Sequence, residues 1–133
     1  MSGRLIAPGH AHAVALVLDE PLSLWGGLDP ASGHIIEPRH PQHGAVISGR
    51  ALVVPAVRGS SSSASVLAEA VRAGTAPAAI VLGEADLILA LGAAVAEELY
   101  GIQVPILVLP PGELATMLDG ATLDIGPEGA TSV

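Results

Sequence analysis

The second half of the chain alternates segments typical of strands with segments typical of helices, and this order constrains the fold more than any other feature. Apolar runs at 51–54, 79–82 and 104–109 predict buried strands. Periodic stretches at 62–73 and 87–100 lie between these runs and predict helices. Parallel strands joined by right-handed helical crossovers satisfy that order. The predicted fold class is therefore α/β.

The first half contains more loop and adds strands to this core. Short apolar runs at 3–7 and 13–18 predict strands, and residues 19–33 predict a long, turn-rich loop. An additional antiparallel layer is expected from this half. We expect one domain over residues 1–133, built in three layers around a partly parallel sheet with helices on one face, and a loose tail at 126–133. The remaining expectations are a short strand at 35–36, a loop at 37–44, a short helix at 111–118 and a last strand at 121–125.

The composition excludes several classes of protein. Half of the 133 residues are hydrophobic, which excludes intrinsic disorder. The chain has no Cys, so it can form neither a disulfide framework, a thiolate nucleophile, a zinc–thiolate site nor a cluster held by its own thiolates. The formal charge of −8, with five scattered Arg and no Lys, argues against a nucleic-acid partner.

Membrane and targeting segments are not expected. The most apolar window, 78–96, is interrupted by Glu84 and Asp86, whereas a membrane span needs about 20 mostly apolar residues. Residues 1–12 contain Pro8 and His10 and do not resemble the apolar region of a signal peptide. The expected localisation is cytoplasmic, with no membrane partner.

The stretch 55–65 is the most informative for function, because it joins the strand at 51–54 to the helix at 62–73. Open α/β sheets bind ligands at the carboxyl ends of their strands, and the N–H groups and dipole at a helix start favour an anion. Gly59 lets the backbone approach a ligand closely, and the guanidinium of Arg58 suits a carboxylate or phosphate. A serine hydroxyl in that field has its alkoxide stabilised, as a serine base requires. The alternative is that the serines only cap the helix and solubilise a turn.

The other polar residues give weaker signals. His10 and His12 have H-x-H spacing and His40 and His43 have H-x-x-H spacing, but no carboxylate follows at a telling interval, so exposed loop histidines are favoured over a metal site. The acids at 84 and 86 follow a strand and can face the same crevice, although capping the next helix is the commoner role. A loop at 25–27 can line the cleft or an interface, or simply be a tight turn anchored by its Trp.

Six segments form a specific combination over residues 4–125, although each alone is weak. They are Glu20-Pro-Leu-Ser-Leu-Trp-Gly-Gly-Leu-Asp-Pro, Gly33-His-Ile-Ile-Glu-Pro-Arg-His-Pro, Gly49-Arg-Ala-Leu-Val-Val-Pro, Arg58-Gly-Ser-Ser-Ser, Ala76-Pro-Ala-Ala-Ile-Val and Ile88-Leu-Ala-Leu-Gly-Ala. Together they resemble the small subunit of aconitase X, the swivelling-domain half of an aconitase-like hydro-lyase.

The resemblance implies a swivelling β/β/α domain that docks on a large catalytic subunit. In that family the large subunit binds an iron–sulfur cluster through its own cysteines, and the cluster acts as a Lewis acid on the leaving hydroxyl. The serine after the Arg/Lys-Gly pair is the proton-abstracting base, which falls on Ser60 here. Arg58, Gly59, Ser61 and Ser62 are then expected to bind a small carboxylate substrate. An isolated chain should be inactive.

The family has two branches that act on different substrates. The serine run 60–63 and the stretch 68–82 look more like the bacterial branch, which dehydrates cis-3-hydroxy-L-proline to Δ1-pyrroline-2-carboxylate. The other branch dehydrates mevalonate 5-phosphate, and the loop lacks the extra Lys or Arg that suits a phosphate. Two departures from the family pattern, Val57 for Gly and Leu87 for Pro, can retune specificity.

Two functions from other classes are also compatible with the residues. A non-catalytic anion-binding or regulatory module of the same fold would bind a small carboxylate or phosphate without a partner. A general protein-interaction domain would use an aliphatic surface, but it gives no reason for Arg58 and a serine run to lie at a helix start.

Overall fold

The computed structural model describes residues 1–58 and 62–133. Within them the helices are α1 (Leu24–Gly27), α2 (Ser62–Ala73), α3 (Leu87–Tyr100) and α4 (Pro111–Leu114). The strands are β1 (Arg4–Ala7), β2 (Ala11–Val17), β3 (Leu22–Ser23), β4 (Leu28–Asp29), β5 (His34–Ile35), β6 (Ala51–Val54), β7 (Val57–Arg58), β8 (Ala79–Leu82), β9 (Ile106–Val108), β10 (Thr122–Gly126) and β11 (Gly129–Ser132). None of these helices is long and apolar enough to cross a membrane.

A seven-stranded mixed sheet in the order β1-β9-β8-β6-β2-β10-β11 organises the domain. Its four central strands, β9, β8, β6 and β2, run parallel to one another. β1 and β10 pair antiparallel on either side of them. Every residue of β6 and β8 is buried, as expected for parallel strands covered on both faces. The predicted strand–helix alternation and its parallel pairing are confirmed.

Alternate residues of the central strands pack into two separate cores. Leu52 and Ile80 face a core that contains Leu67 of α2 and Leu89 of α3. The residues next to them along each strand face a second core on the other side of the sheet. From β10, β11 and the α4 region this second core contains Leu114, Met117, Leu123, Ile125 and Ala130. The two long helices therefore cover one face of the sheet.

The sheet curls because β2 is shared between two partners. Its first half pairs with β10 and its second half pairs with β6. The β10–β11 hairpin is thereby folded over the face opposite the long helices, which gives a β/β/α layering. This confirms the predicted three-layer fold, but the antiparallel layer comes largely from the end of the chain and not, as expected, from the first half.

The prediction of a loose tail at 126–133 is wrong. Residues Gly129–Ser132 form β11 and pair with β10. The Met1 ammonium donates to the Ala130 carbonyl at 2.7 Å, and the Ala130 N–H donates to the Met1 carbonyl at 2.9 Å. The tight turn into β11 requires the left-handed backbone of Gly129, at φ +115°. The residues of β11 include no large apolar side chain, so no hydrophobic pattern indicated a strand.

The expected loop at 19–33 contains more regular structure than predicted. The two-residue strand β3 pairs parallel with β7, and β4 pairs antiparallel with β5. The expected helix at 111–118 is shorter and ends at Leu114. Strands of two residues carry no readable periodicity, which explains why the sequence did not predict them.

Helices α2 and α3 approach so closely at Gly92 that a side chain there has no room. A Cβ at this position would lie 2.7 Å from the carbonyl oxygen of Ala64 and 2.8 Å from its Cα. Ala64 is two residues after Ser62, where α2 begins. The contact between Gly92 and Ala64 therefore fixes the start of α2 against α3.

We expect Gly92→Val to lower the free energy of unfolding by about 1–3 kcal/mol, because the added methyl groups must push the α2 backbone away. Urea denaturation measures the change. The matched control is Ala94→Val at an exposed position of the same helix, which should cost only about 0.5 kcal/mol of helix propensity. Equal losses in both variants would show that the two backbones are not in tight contact at Gly92.

Candidate functional site

A crevice of about 430 Å³ opens at the carboxyl ends of β2, β6 and β8. This is the edge of an α/β sheet at which ligands are expected. Most of its lining is apolar, and three lining side chains carry charge: Asp19, Arg58 and Glu84. The remaining lining residues are Val17, Leu18, Pro21, Val53, Pro55, Ala56, Gly83, Pro111, Leu114 and Ala115.

Arg58 reaches the crevice from β7. This strand pairs parallel with β3, with Ser23 opposite Arg58 and Leu22 opposite Val57. Val57 packs against the main core, and the extended backbone of a paired strand suits a β-branched residue. The Val57 departure from the family pattern is thus accommodated by strand pairing and needs no left-handed backbone.

The chain enters α2 at Ser62, four residues after Arg58. Ser62 is partly exposed, and its carbonyl accepts a hydrogen bond from the Ser65 hydroxyl at 2.9 Å. The predicted base, Ser60, lies outside the described residues, as do the predicted binding residues Gly59 and Ser61. The described residues on either side of this stretch are Arg58, on the crevice wall, and Ser62, at the start of α2.

The acidic residues near the crevice have different roles. Asp86 caps α3, because its carboxylate accepts the N–H of Leu89 at 2.9 Å. The Asp19 carboxylate accepts a hydrogen bond from the Gln42 side-chain amide at 2.8 Å. Glu84 is exposed on the crevice wall, and no described residue forms a hydrogen bond or ion pair with it. The structure therefore gives the two acids different roles: Asp86 caps a helix and Glu84 lines the crevice. The sequence alone could not distinguish these roles.

The charge on the crevice wall is mixed. Arg58 is the sole cation among the described lining residues, and it shares the wall with two carboxylates. Two other Arg residues are engaged elsewhere: Arg50 donates to the Ala15 carbonyl at 2.9 Å, and Arg72 pairs with Glu69 on the exposed face of α2. That hydrogen bond lowers the pKa of Glu69 and raises the pKa of Arg72, outside the crevice.

His40 corrects the expectation of exposed loop histidines. It is only 6% exposed, its Nε2 lies 3.2 Å from the Glu20 carbonyl, and its Nδ1 accepts the N–H of Gln42 at 3.0 Å. This pattern assigns the proton to Nε2. His40 therefore stabilises the segment whose Gln42 holds Asp19 at the crevice, and no sequence pattern indicated this role.

The other histidines lie at the surface. His10 Nε2 is 3.0 Å and His12 Nδ1 is 3.9 Å from the same oxygen of Asp124, away from the crevice, and His43 is exposed. Among residues 1–58 and 62–133, no group of three or more His, Cys, Asp or Glu is arranged to hold a metal ion.

Exposed apolar side chains lie close to the crevice. Leu87 is 76% exposed and Leu91 is 59% exposed, and α3 begins at Leu87, three residues after Glu84. Trp25 is 64% exposed and stands two residues after Ser23, the pairing partner of Arg58. Trp25 does not line the crevice, and a side chain this exposed does not anchor a turn, so neither the cleft role nor the anchoring role considered for its loop is supported.

Comparisons with known proteins agree with this fold. A family model described as the aconitase X swivel domain matches residues 1–132. A relative in Pseudomonas aeruginosa named cis-3-hydroxy-L-proline dehydratase is 48% identical over 106 residues, which are 80% of this chain and 18% of that protein. The phosphomevalonate dehydratase small subunit of Methanothermobacter thermautotrophicus is 36% identical over 116 residues, which are 87% of this chain and 84% of that one.

A solved structure shows the same architecture. The crystal structure of Thermococcus kodakaraensis aconitase X in its holo form matches with a TM-score of 0.88 and 27% identity, covering 99% of this chain and 96% of that chain. The layering defines a β/β/α domain, and its crevice lies at the strand ends where α/β sheets commonly bind ligands. The chain belongs to the aconitase X swivel domain family. It spans less than a fifth of the length of the Pseudomonas aeruginosa relative.

We expect Asp86→Ala to lower the free energy of unfolding by about 1 kcal/mol, because it removes the side-chain acceptor that caps α3. Thermal or urea unfolding measures the loss. Glu84→Gln is the paired variant, and it should change stability by less than about 0.5 kcal/mol, since no described contact depends on that carboxylate. The reverse order of the two effects would contradict the division of roles between these acids.

Proposed function

We propose that this chain is the swivel-domain component of an aconitase-like dehydratase whose substrate is a small hydroxy acid, most specifically cis-3-hydroxy-L-proline. The observation that carries the proposal is the position of Arg58. It lies on the wall of a strand-end crevice, four residues before a helix start, in a chain that is 48% identical to a relative named for that activity. The proposed product is Δ1-pyrroline-2-carboxylate.

The reaction chemistry assigns a role to each residue of the loop. Dehydration next to a carboxylate removes a weakly acidic C–H proton and expels the hydroxyl on the neighbouring carbon, so it needs a base and a carboxylate clamp. We assign the base to Ser60 and the clamp to Arg58. A guanidinium and a helix start both favour the alkoxide form of a serine placed between them. Gly59, Ser61 and Ser62 complete the proposed substrate-binding loop.

The group that assists departure of the hydroxyl must come from another part of the enzyme. This chain has no Cys, and its described residues offer no set of metal ligands, so its residues do not fit an iron–sulfur cluster. We propose that the cluster belongs to the aconitase X catalytic component, the large subunit, and that this chain needs that partner for turnover. The length of the Pseudomonas aeruginosa relative, of which this chain covers 18%, supports such a partner.

Trp25, Leu87 and Leu91 are the residues that we propose as docking contacts for that catalytic component. These exposed apolar side chains lie beside the segments that bring Arg58 and Glu84 to the crevice. Docking here would bury them and close the crevice against the partner, where exclusion of water strengthens electrostatic interactions.

Dehydration of mevalonate 5-phosphate is the second candidate, because the matched small subunit from Methanothermobacter thermautotrophicus has nearly the length of this chain. The described crevice wall favours it less. A phosphorylated hydroxy acid brings several negative charges, whereas the wall offers one Arg and two carboxylates. We therefore place the amino-acid substrate first.

In the complex with its large subunit, Ser60→Ala should lower kcat for cis-3-hydroxy-L-proline by about 10²–10⁴-fold, the usual contribution of a general base. Steady-state kinetics measure the loss, and size-exclusion chromatography should show an intact complex. Ser65→Ala, in the exposed first turns of α2, should retain activity. Full turnover by the Ser60→Ala complex would overturn the assignment of the base.

Trp25→Ala and Leu91→Ala should each raise the Kd for the large subunit by roughly 10- to 100-fold, because exposed Trp and Leu side chains next to a site become buried anchors on docking. Surface plasmon resonance with immobilised large subunit measures the change. Leu99→Ala is the control, since Leu99 is equally exposed but lies about 18 Å further along α3 than Leu87. A larger effect at Leu99 would place the interface on another face.

A further inference from the structure

Glu84 is a charged residue on the crevice wall that has no role in the proposed reaction. It lines the same cavity as Arg58 and is exposed to it, and no described residue hydrogen-bonds to its carboxylate. The two nearby acids are engaged: Asp86 caps α3 and Asp19 is held by Gln42. A solvent-facing carboxylate on a small-molecule site is available for a ligand cation.

The backbone holds Glu84 and Arg58 on adjoining walls. β6 and β8 are paired parallel neighbours, and Val54 is opposite Leu82 where they end. Beyond that point the N–H of Gly83 donates to the carbonyl of Pro55 at 3.1 Å. The segment before Glu84 is thereby tied to the segment that leads into Arg58, and the two opposite charges face one crevice.

This arrangement matches a ligand that carries both charges next to each other. In an α-amino acid the carboxylate and the ammonium are attached to one carbon. Arg58 suits the carboxylate, and a Glu carboxylate suits the ammonium, which is a charge-assisted hydrogen bond. A ligand with only negative groups would gain from Arg58 and be repelled by Glu84.

We propose that Glu84 binds the ammonium group of the substrate and makes the crevice select a zwitterionic amino acid over a phosphorylated hydroxy acid. The inference rests on the proposed dehydratase function, since it concerns the same crevice. Glu84 is a binding and specificity residue here, and the base remains Ser60. Removing its charge therefore affects KM and leaves kcat largely intact.

The test uses the assembled complex and two ligands of the same shape. One is cis-3-hydroxy-L-proline, and the other is cis-3-hydroxytetrahydrofuran-2-carboxylate, in which oxygen replaces the ring nitrogen and no ammonium exists. Glu84→Gln should raise KM for the amino acid roughly 10- to 100-fold, as expected for loss of a charged hydrogen bond. The inhibition constant of the oxygen analogue should stay within about 3-fold of the wild-type value or fall, because this anion has no cation for Glu84 to bind and is no longer repelled by the Glu84 charge.

Glu98→Gln, at an exposed position of α3, removes a charge away from the crevice and should change neither constant. If Glu84→Gln weakens both ligands by the same factor, or weakens neither, the assignment of Glu84 is overturned while the dehydratase function stands. If the wild-type complex does not dehydrate the amino acid, the proposed function fails. Calorimetric binding of L-proline to the wild-type and Glu84→Gln complexes then decides Glu84 alone: weaker binding by the variant supports the assignment, and equal or absent binding overturns it.

Discussion

The parallel pairing of β2, β6, β8 and β9 is the constraint on which the rest of the structure depends. Strands that run the same way end at the same edge, so the segments after β2, β6 and β8 converge and enclose the crevice. The two innermost strands, β6 and β8, are buried at every residue and need a cover on each side. The long helices cover one face and the β10–β11 hairpin covers the other. The crevice and the three layers therefore both result from the parallel pairing.

The chemistry of the crevice depends on which polar groups are already engaged by the fold. Asp86 lies at a helix start whose N–H groups need an acceptor, so its carboxylate turns to the backbone. Asp19 is held by Gln42, whose own N–H is bonded to buried His40. Arg58 and Glu84 line the same crevice with opposite charges, and Asp19 adds a second carboxylate that Gln42 holds. Apolar walls with a few polar groups are typical of small-molecule pockets, and the opposite charges are the basis of the proposed zwitterionic ligand.

The long elements of the fold could be predicted from the sequence, because each carries its signals locally. The helices at 62–73 and 87–100 have the expected bounds, and the second ends at left-handed Gly101. Strand β11 and the β3–β7 pair could not be predicted. β11 contains no large apolar side chain, and β3 and β7 are two residues long and far apart in the chain. At the site, Arg58 was identified by its place between a strand and a helix. The roles of Glu84 and His40 required the tertiary neighbours that distinguish a bound carboxylate or a buried ring from an exposed one.

By itself the sequence determined the class of fold and the stretch, 55–65, that joins a central strand to a long helix. The fold class follows from apolar periodicity and the stretch follows from the order of the elements, both of which are local features. Only the tertiary structure decided how the sheet curls, which acid caps a helix and which one lines the crevice, and which apolar side chains stay exposed. Those outcomes depend on which segments the fold brings together. The free energy of exposing or burying a carboxylate or a leucine side chain is set by the groups around it.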